Sequence, residues 1–102
     1  MSEQLTIIAT FRAKPGQSEE LGRRLIALVE PTRAEAGCIN YDLHRSNEDG
    51  DVWMFYENWR SKADLDAHVE TPHLQALMRD LPNLTVDGLK LQYFSMASIA
   101  HA

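Results

Sequence analysis

Between Phe55 and His73 the chain reads FYENWRSKADLDAHVETPH, which brings an acid, an indole and two imidazoles into one strand end and the helix after it. An imidazole with an ordinary pKa of about 6.5 can take up and return a proton near neutral pH. His68 shares a helical face with Leu65 and Val69, so it turns toward the core; a purely structural core histidine is the competing reading. His73 lies five residues on, about 140° around an uninterrupted helix. A restart at Thr71-Pro72 can bring it back to the mouth of a pocket. Glu57, flanked on its strand face by Phe55 and Trp59, is either a buried carboxylate with a raised pKa or a strand-end acid paired with Arg60, Lys62 or Arg79. Trp59 is either core or a flat ring for an aromatic substrate to stack on, with an N–H to donate. As metal ligands the two histidines are poorly spaced, because i, i+4 spacing and a third ligand would be wanted. No bound metal is therefore expected.

The elements that must position these groups follow from periodicity. Gln4 to Ala13 alternates, with Leu5, Ile7, Ala9 and Phe11 on one side, which predicts a strand ended by Lys14-Pro15-Gly16. Ser18 can cap a helix with the apolar stripe Leu21, Leu25, Leu28, Val29 and Thr32. Pro31 predicts a kink or restart, and Gly37 is placed to end the helix in a left-handed conformation. Cys38 to Ser46 reads as a second strand, with Ile39, Tyr41 and Leu43 facing one way. Asp49-Gly50 signals a hairpin. The third strand, Asp51 to Trp59, is apolar or aromatic on both faces, so something must cover the face that helices leave open. A second copy of the chain is the simplest cover.

Ser61 and Asp64 form a weak capping box, and Thr71-Pro72 reads as an N-cap with proline at the first helical position. The helix that follows carries Leu74, Leu77, Met78 and Leu81 and is ended by Pro82. Thr85 to Ser98 is the fourth strand. The order β-α-β-β-α-β is the ferredoxin-like arrangement: an α+β fold with an antiparallel sheet, expected to pair into a dimeric α+β barrel.

At 102 residues the chain holds one core, hence a single domain over residues 1–102. A net charge of −5 argues against nucleic acid. No stretch is long and apolar enough to span a membrane, and MSEQLTIIATFRAKPG lacks the features of a signal peptide, so a cytoplasmic location is the default. Cys38 is the only cysteine, which excludes an intrachain disulfide. No Gly-rich phosphate cradle, nucleophile elbow or Cys-His arrangement is present.

Several fragments in this order resemble the antibiotic biosynthesis monooxygenase family, and within it small bacterial proteins described as quinol monooxygenases. They are Lys14-Pro15-Gly16, Glu35-x-Gly37-Cys38-x-x-Tyr41, Glu57-x-Trp59-x-Ser61 and His68-x-x-Thr71-Pro72-His73. The resemblance implies a homodimeric barrel with a pocket in each subunit. It also implies oxidation of an electron-rich phenol by O₂ without metal, flavin or haem. Carried onto this chain, it makes His68 the candidate base, has Glu57 orient or polarise a partner, and has Trp59 and Phe55 hold the ring. Tyr41, His73, Leu65 and Met78 are further pocket candidates. Haem-degrading relatives are a poorer match, since LTIIATFRA offers no asparagine. The segment from His68 to His73 is also similar to an isomerase of a phosphorylated autoinducer-2 product on the same fold, and a non-catalytic ligand-binding or stress-response barrel stays open beside both.

Overall fold

Alternation in the first strand translates directly into burial. In the computed structural model, which describes residues 4–98, β1 spans Leu5–Ala13 and buries Ile7, Ala9, Phe11 and Ala13. Residues 1–3 and 99–102 of the expected single domain lie outside the described residues. The remaining elements are α1 (Ser18–Ile26), α2 (Val29–Arg33), β2 (Cys38–Arg45), β3 (Val52–Trp59), α3 (Lys62–Val69), α4 (Pro72–Leu84) and β4 (Thr85–Phe94). The strands pair antiparallel in the order β2-β3-β1-β4, the ferredoxin-like α+β topology. None of the described helices is long and apolar enough to cross a membrane.

The core lies between one face of the sheet and the helices, where Leu21, Leu25, Leu28 and Leu77 meet Ile7, Tyr41, Phe55 and Trp59. The opposite face carries Ile8 in register with Tyr56, Thr10 with Met54, and Thr6 with Phe94. No described helix packs on it, and Tyr56 and Phe94 are exposed there.

Pro31 acts as the sequence predicts. The helix breaks between Ile26 and Val29, at the Ala27 carbonyl that proline, four residues on, cannot hydrogen-bond. Ser61 and Thr71 also cap as expected: Asp64 N–H donates to Ser61 Oγ and Leu74 N–H to Thr71 Oγ1. Thr71 Oγ1 in turn donates to the His68 carbonyl at 2.7 Å, tying the start of α4 to the end of α3.

Five expectations are corrected. Ser18 does not cap α1; its hydroxyl donates to the Gly50 carbonyl and accepts from Trp53 Nε1 and Arg45, so it ties the helix to the hairpin. Gly37 is not left-handed. It is needed for close approach, since a Cβ there would sit 2.1 Å from Cγ of Asp64. Ile39 does not share the inward side of β2, because a register shift between Cys38 and Asn40 turns it out to 55% exposure while Cys38 packs against the core. Pro82 does not end α4, which runs two residues further to Leu84. There Thr85 Oγ1 satisfies the Leu81 carbonyl. The fourth strand stops at Phe94 rather than Ser98, and left-handed Asp87 and Gly88 interrupt its pairing with β1 between Leu89 and Val86.

Candidate active site

Under α3 and α4, against the inner face of the sheet, lies a cavity of about 120 Å³. One wall is aromatic: Tyr41 and Phe55 stack with centroids 4.1 Å apart, and Phe11 meets Phe55 edge-on. Leu65 and Val69 of α3 and Leu74 and Met78 of α4 close the other side. Tyrosines aside, Glu57 and His68 are its only ionisable lining groups among the described residues, none of whose lysines or arginines lines it. Met78, Leu89 and Leu91 are shared with a broad open groove that runs over Pro82 and Val86 to Lys14.

Strand alternation places Glu57 between Phe55 and Trp59, and β3 ends where the sheet is best covered. Glu57 is 4% exposed, and its Oε1 accepts from Trp59 Nε1 at 2.9 Å. No Arg or Lys pairs with it among the described residues, so the ion-paired alternative is set aside. Arg60 bonds Asp64 and Lys62 bonds Asp66. Burial pushes the Glu57 carboxyl up to about 7, against the stabilising indole hydrogen bond and with the help of nearby Glu35. Near neutrality Glu57 is therefore divided between acid and carboxylate.

The second polar group comes from the helix break. His68 Nδ1 lies 2.8 Å from Oε2 of Glu35, and His73 Nε2 lies 2.8 Å from the same oxygen. The break at Glu70-Thr71 is what redirects His73 toward Glu35. Against a carboxylate acceptor the His68 imidazole donates from Nδ1, which leaves Nε2 as its lone-pair nitrogen. No described residue hydrogen-bonds Nε2. It is not among the described polar atoms sealed from solvent without a partner, where Thr32 Oγ1 stands alone. The ring is held by Trp59 at 4.6 Å and Tyr41 at 5.5 Å. Burial pulls its pKa below the ordinary value, with Glu35 pulling the other way.

Six of the residues singled out in the sequence line this cavity: His68, Glu57, Phe55, Tyr41, Leu65 and Met78. Met78 does so from the rim, at 39% exposure, rather than from a buried stripe. Trp59 is corrected from ring-holding wall to backing: it is 1% exposed, its N–H is taken by Glu57, and it stands behind His68 rather than in the lining. His73 likewise lies outside the lining and reaches Glu35 instead. Glu35 is the side chain of this cluster that sequence reasoning missed. It is a partly buried bridge between the two histidines, and its only signal in the sequence was its place in Glu35-x-Gly37-Cys38. It also supplies the third group that the spacing of the histidines lacked: Glu35, His68 and His73 offer three ligand atoms within 4.8 Å of one another. Cys38 is not an activated thiol, because burial and the nearby carboxylates push it up to about 11.

Residues 4–80 match the family model described as "Antibiotic biosynthesis monooxygenase". The candidate monooxygenase Rv0793 of Mycobacterium tuberculosis is 40% identical over 73 residues, covering 72% of this chain and 71% of the relative. "Probable quinol monooxygenase YgiN" of Escherichia coli is 30% identical over 82 residues, covering 71% and 79%. An uncharacterised Synechocystis protein, sll1783, is 26% identical over 93% of this chain, which spans 65% of that relative's length. Among solved structures, PA3566 of Pseudomonas aeruginosa superposes with a TM-score of 0.90 at 41% identity, covering 96% of this chain and 98% of that one.

Proposed function

The chain belongs to the antibiotic biosynthesis monooxygenase family, and on that premise we propose that it oxidises a single-ring hydroquinone-type phenol with O₂, without a bound cofactor. The observation that carries the reading is His68, which lines a largely apolar, aromatic-walled cavity with its Nδ1 held by Glu35 and no described residue bonded to its Nε2. Size favours one ring, since a cavity of about 150 Å³ is enough to hold benzene and this one is about 120 Å³. Larger fused phenols would have to project past Met78 into the groove.

The proposed chemistry balances on the substrate's own electrons. His68 Nε2 takes the phenolic proton, and the imidazolium is stabilised by Glu35. The phenolate gives one electron to O₂, and semiquinone and superoxide join at a ring carbon to form a peroxide. Loss of the ring proton and cleavage of the O–O bond leave a hydroxyquinone and water: C₆H₆O₂ + O₂ → C₆H₄O₃ + H₂O for the parent ring. Glu57 in its protonated form donates to the oxygen that carries developing charge. Phe55 and Tyr41 hold the ring, and the apolar walls keep water from the anion.

The working unit in this reading is a homodimer, in which Ile8, Met54, Tyr56 and Phe94 of one sheet meet those of a second copy. A monomeric mass in light scattering at micromolar concentration would remove that part. The oxidation is tested by oxygen uptake with chelator-treated protein and a panel of hydroquinones. One O₂ consumed per hydroxyquinone formed is expected, and no enzyme-dependent uptake across the panel would sink the reading. Isomerisation of a phosphorylated metabolite is the weaker reading, because no lysine or arginine among the described residues lines the cavity to receive a phosphate. It would be favoured only by turnover that persists without O₂.

A further inference from the structure

We propose that Glu35, His68 Nδ1 and His73 Nε2 form a binding site for one divalent transition metal ion of the zinc class, and that its occupation switches His68 off as a base. Three observations converge on it. First, the three ligand atoms, contributed by the chain after α2, by α3 and by the first turn of α4, all lie within 4.8 Å of one another. Tetrahedral ligands around zinc are about 3.3 Å apart for bonds of 2.0–2.1 Å. To hold an ion, the two contacts of 2.8 Å to Glu35 must open slightly and the widest ligand separation, within 4.8 Å, must close toward that spacing. Secondly, Glu35 is a carboxylate of low exposure, 16% for its side chain, with no Lys or Arg partner among the described residues. Nearby Arg33 is engaged with Asp42 and Arg60 with Asp64. A carboxylate of low exposure is normally paired with a cation or bound to a metal, and here the only side chains that bond it among the described residues are the two imidazoles. Thirdly, exposure is graded along the cluster, from 25% at the His73 side chain to 4% at His68, which gives an ion a way in from outside while His68 stays anchored by Trp59 and Tyr41.

Two nitrogens and one carboxylate suit zinc, cobalt, nickel or copper(II), whereas magnesium and calcium favour all-oxygen sets. Three protein ligands leave a fourth position for water. A metal on Nδ1 obliges the neutral imidazole to carry its proton on Nε2. The nitrogen turned to the cavity then becomes a donor and can no longer accept the phenolic proton. This switch rests on the proposed role of His68 as base; the binding site does not.

The test is titration of chelator-treated, tag-free protein with Co²⁺ and then Zn²⁺. Visible absorption reads the cobalt site, and tryptophan emission reports on Trp59 beside His68. One equivalent per chain with a visible band is expected, displaced by Zn²⁺ and not by Mg²⁺. E35Q and H73A, both at partly exposed positions and checked for folding by circular dichroism, should each weaken binding at least tenfold. H44A, at an exposed histidine on β2, should leave it unchanged. Absence of stoichiometric binding, equal affinity in E35Q and H73A, or loss in H44A would overturn the site. Oxygen uptake that rises when Zn²⁺ is added would overturn the switch alone. If the metal-free protein oxidises no hydroquinone, the optical titration still decides the site by itself.

Discussion

Glu57 and Glu35 are two buried or half-buried carboxylates serving the same cavity, and the chain handles their charge in opposite ways. Glu57 sits on a strand among aromatic rings and receives one neutral indole hydrogen bond. It relieves its burial by holding on to a proton, with its pKa pushed up to about 7. Glu35 sits in a loop between α2 and β2 and gathers two imidazoles onto one oxygen. The comparison teaches that a rigid strand supplies a tuned acid, whereas a junction of loop and broken helix supplies a carboxylate that positions other groups. In the proposed reaction one half of the site carries a proton to donate, and the other prepares a nitrogen to accept one.

Trp59 is where the two halves touch, so its removal should break the comparison outright. Trp59→Ala takes the hydrogen bond from Glu57 and the packing from His68 together, and should cost about 3–5 kcal/mol in chemical denaturation. Trp59→Phe, which keeps most of the packing, should separate the two roles: the Glu57 pKa climbs further while His68 stays in place, as read by carboxyl and imidazole NMR titrations. Next in size, His68→Ala should lower oxygen uptake by roughly 10²–10⁴-fold with little change in substrate binding, since the aromatic wall remains.

Glu57→Gln sharpens the comparison through pH. Because the folded-state pKa of Glu57 is raised above the value of 4.5 for the unfolded chain, the folded state holds the extra proton between the two values. Its contribution to stability is complete below about 4.5 and is lost as pH rises through about 7. At about 1.4 kcal/mol per pKa unit this amounts to about 3 kcal/mol. Glu57→Gln should abolish that slope and be the more stable protein at pH 8 by thermal unfolding. If the acid form of Glu57 acts in the reaction, wild-type kcat should also fall above pH 7. His68 works in the opposite sense: its lowered pKa favours the folded state as pH rises toward 6.5. A wild-type profile in which the Glu57 slope is absent would show that the carboxylate is hydrated in solution. The smallest of these effects concerns the frame: Gly37→Ala pushes a Cβ into Asp64 and should cost about 1–3 kcal/mol.

What was legible in the sequence was what depends on neighbours in the chain. Strand alternation placed Ile7, Phe55 and Glu57 inward, and Thr71-Pro72 declared the restart of the helix. What escaped depends on distant segments. Glu35 meets its histidines across 33 and 38 residues, and nothing near it in sequence distinguishes it from the solvated Glu30. Gly37 looked like a helix terminator because its real constraint is a side chain 27 positions away. Ile39 was misplaced because a bulge shifts register without altering the pattern around it. Trp59 lies on the strand face that the pattern gave it but behind His68 rather than in the cavity lining, since periodicity gives the side of a strand but not how far along it a cavity extends.

The close approach of Gly37 and Asp64 has a consequence for repair. Arg60 N–H donates to the Gly37 carbonyl at 2.8 Å, Asp64 packs on Gly37, and Asp64 N–H donates to the cap of α3. The segment that carries Glu35 and the helix that carries His68 are thus stapled together by backbone and by residues outside the site. Removal of the Glu35 side chain should leave a vacancy of carboxylate shape with both imidazoles still waiting around it. Millimolar formate, added to Glu35→Ala, is then expected to restore part of the lost oxygen uptake, as a small molecule standing in for a missing limb. The same salt should do nothing for His68→Ala.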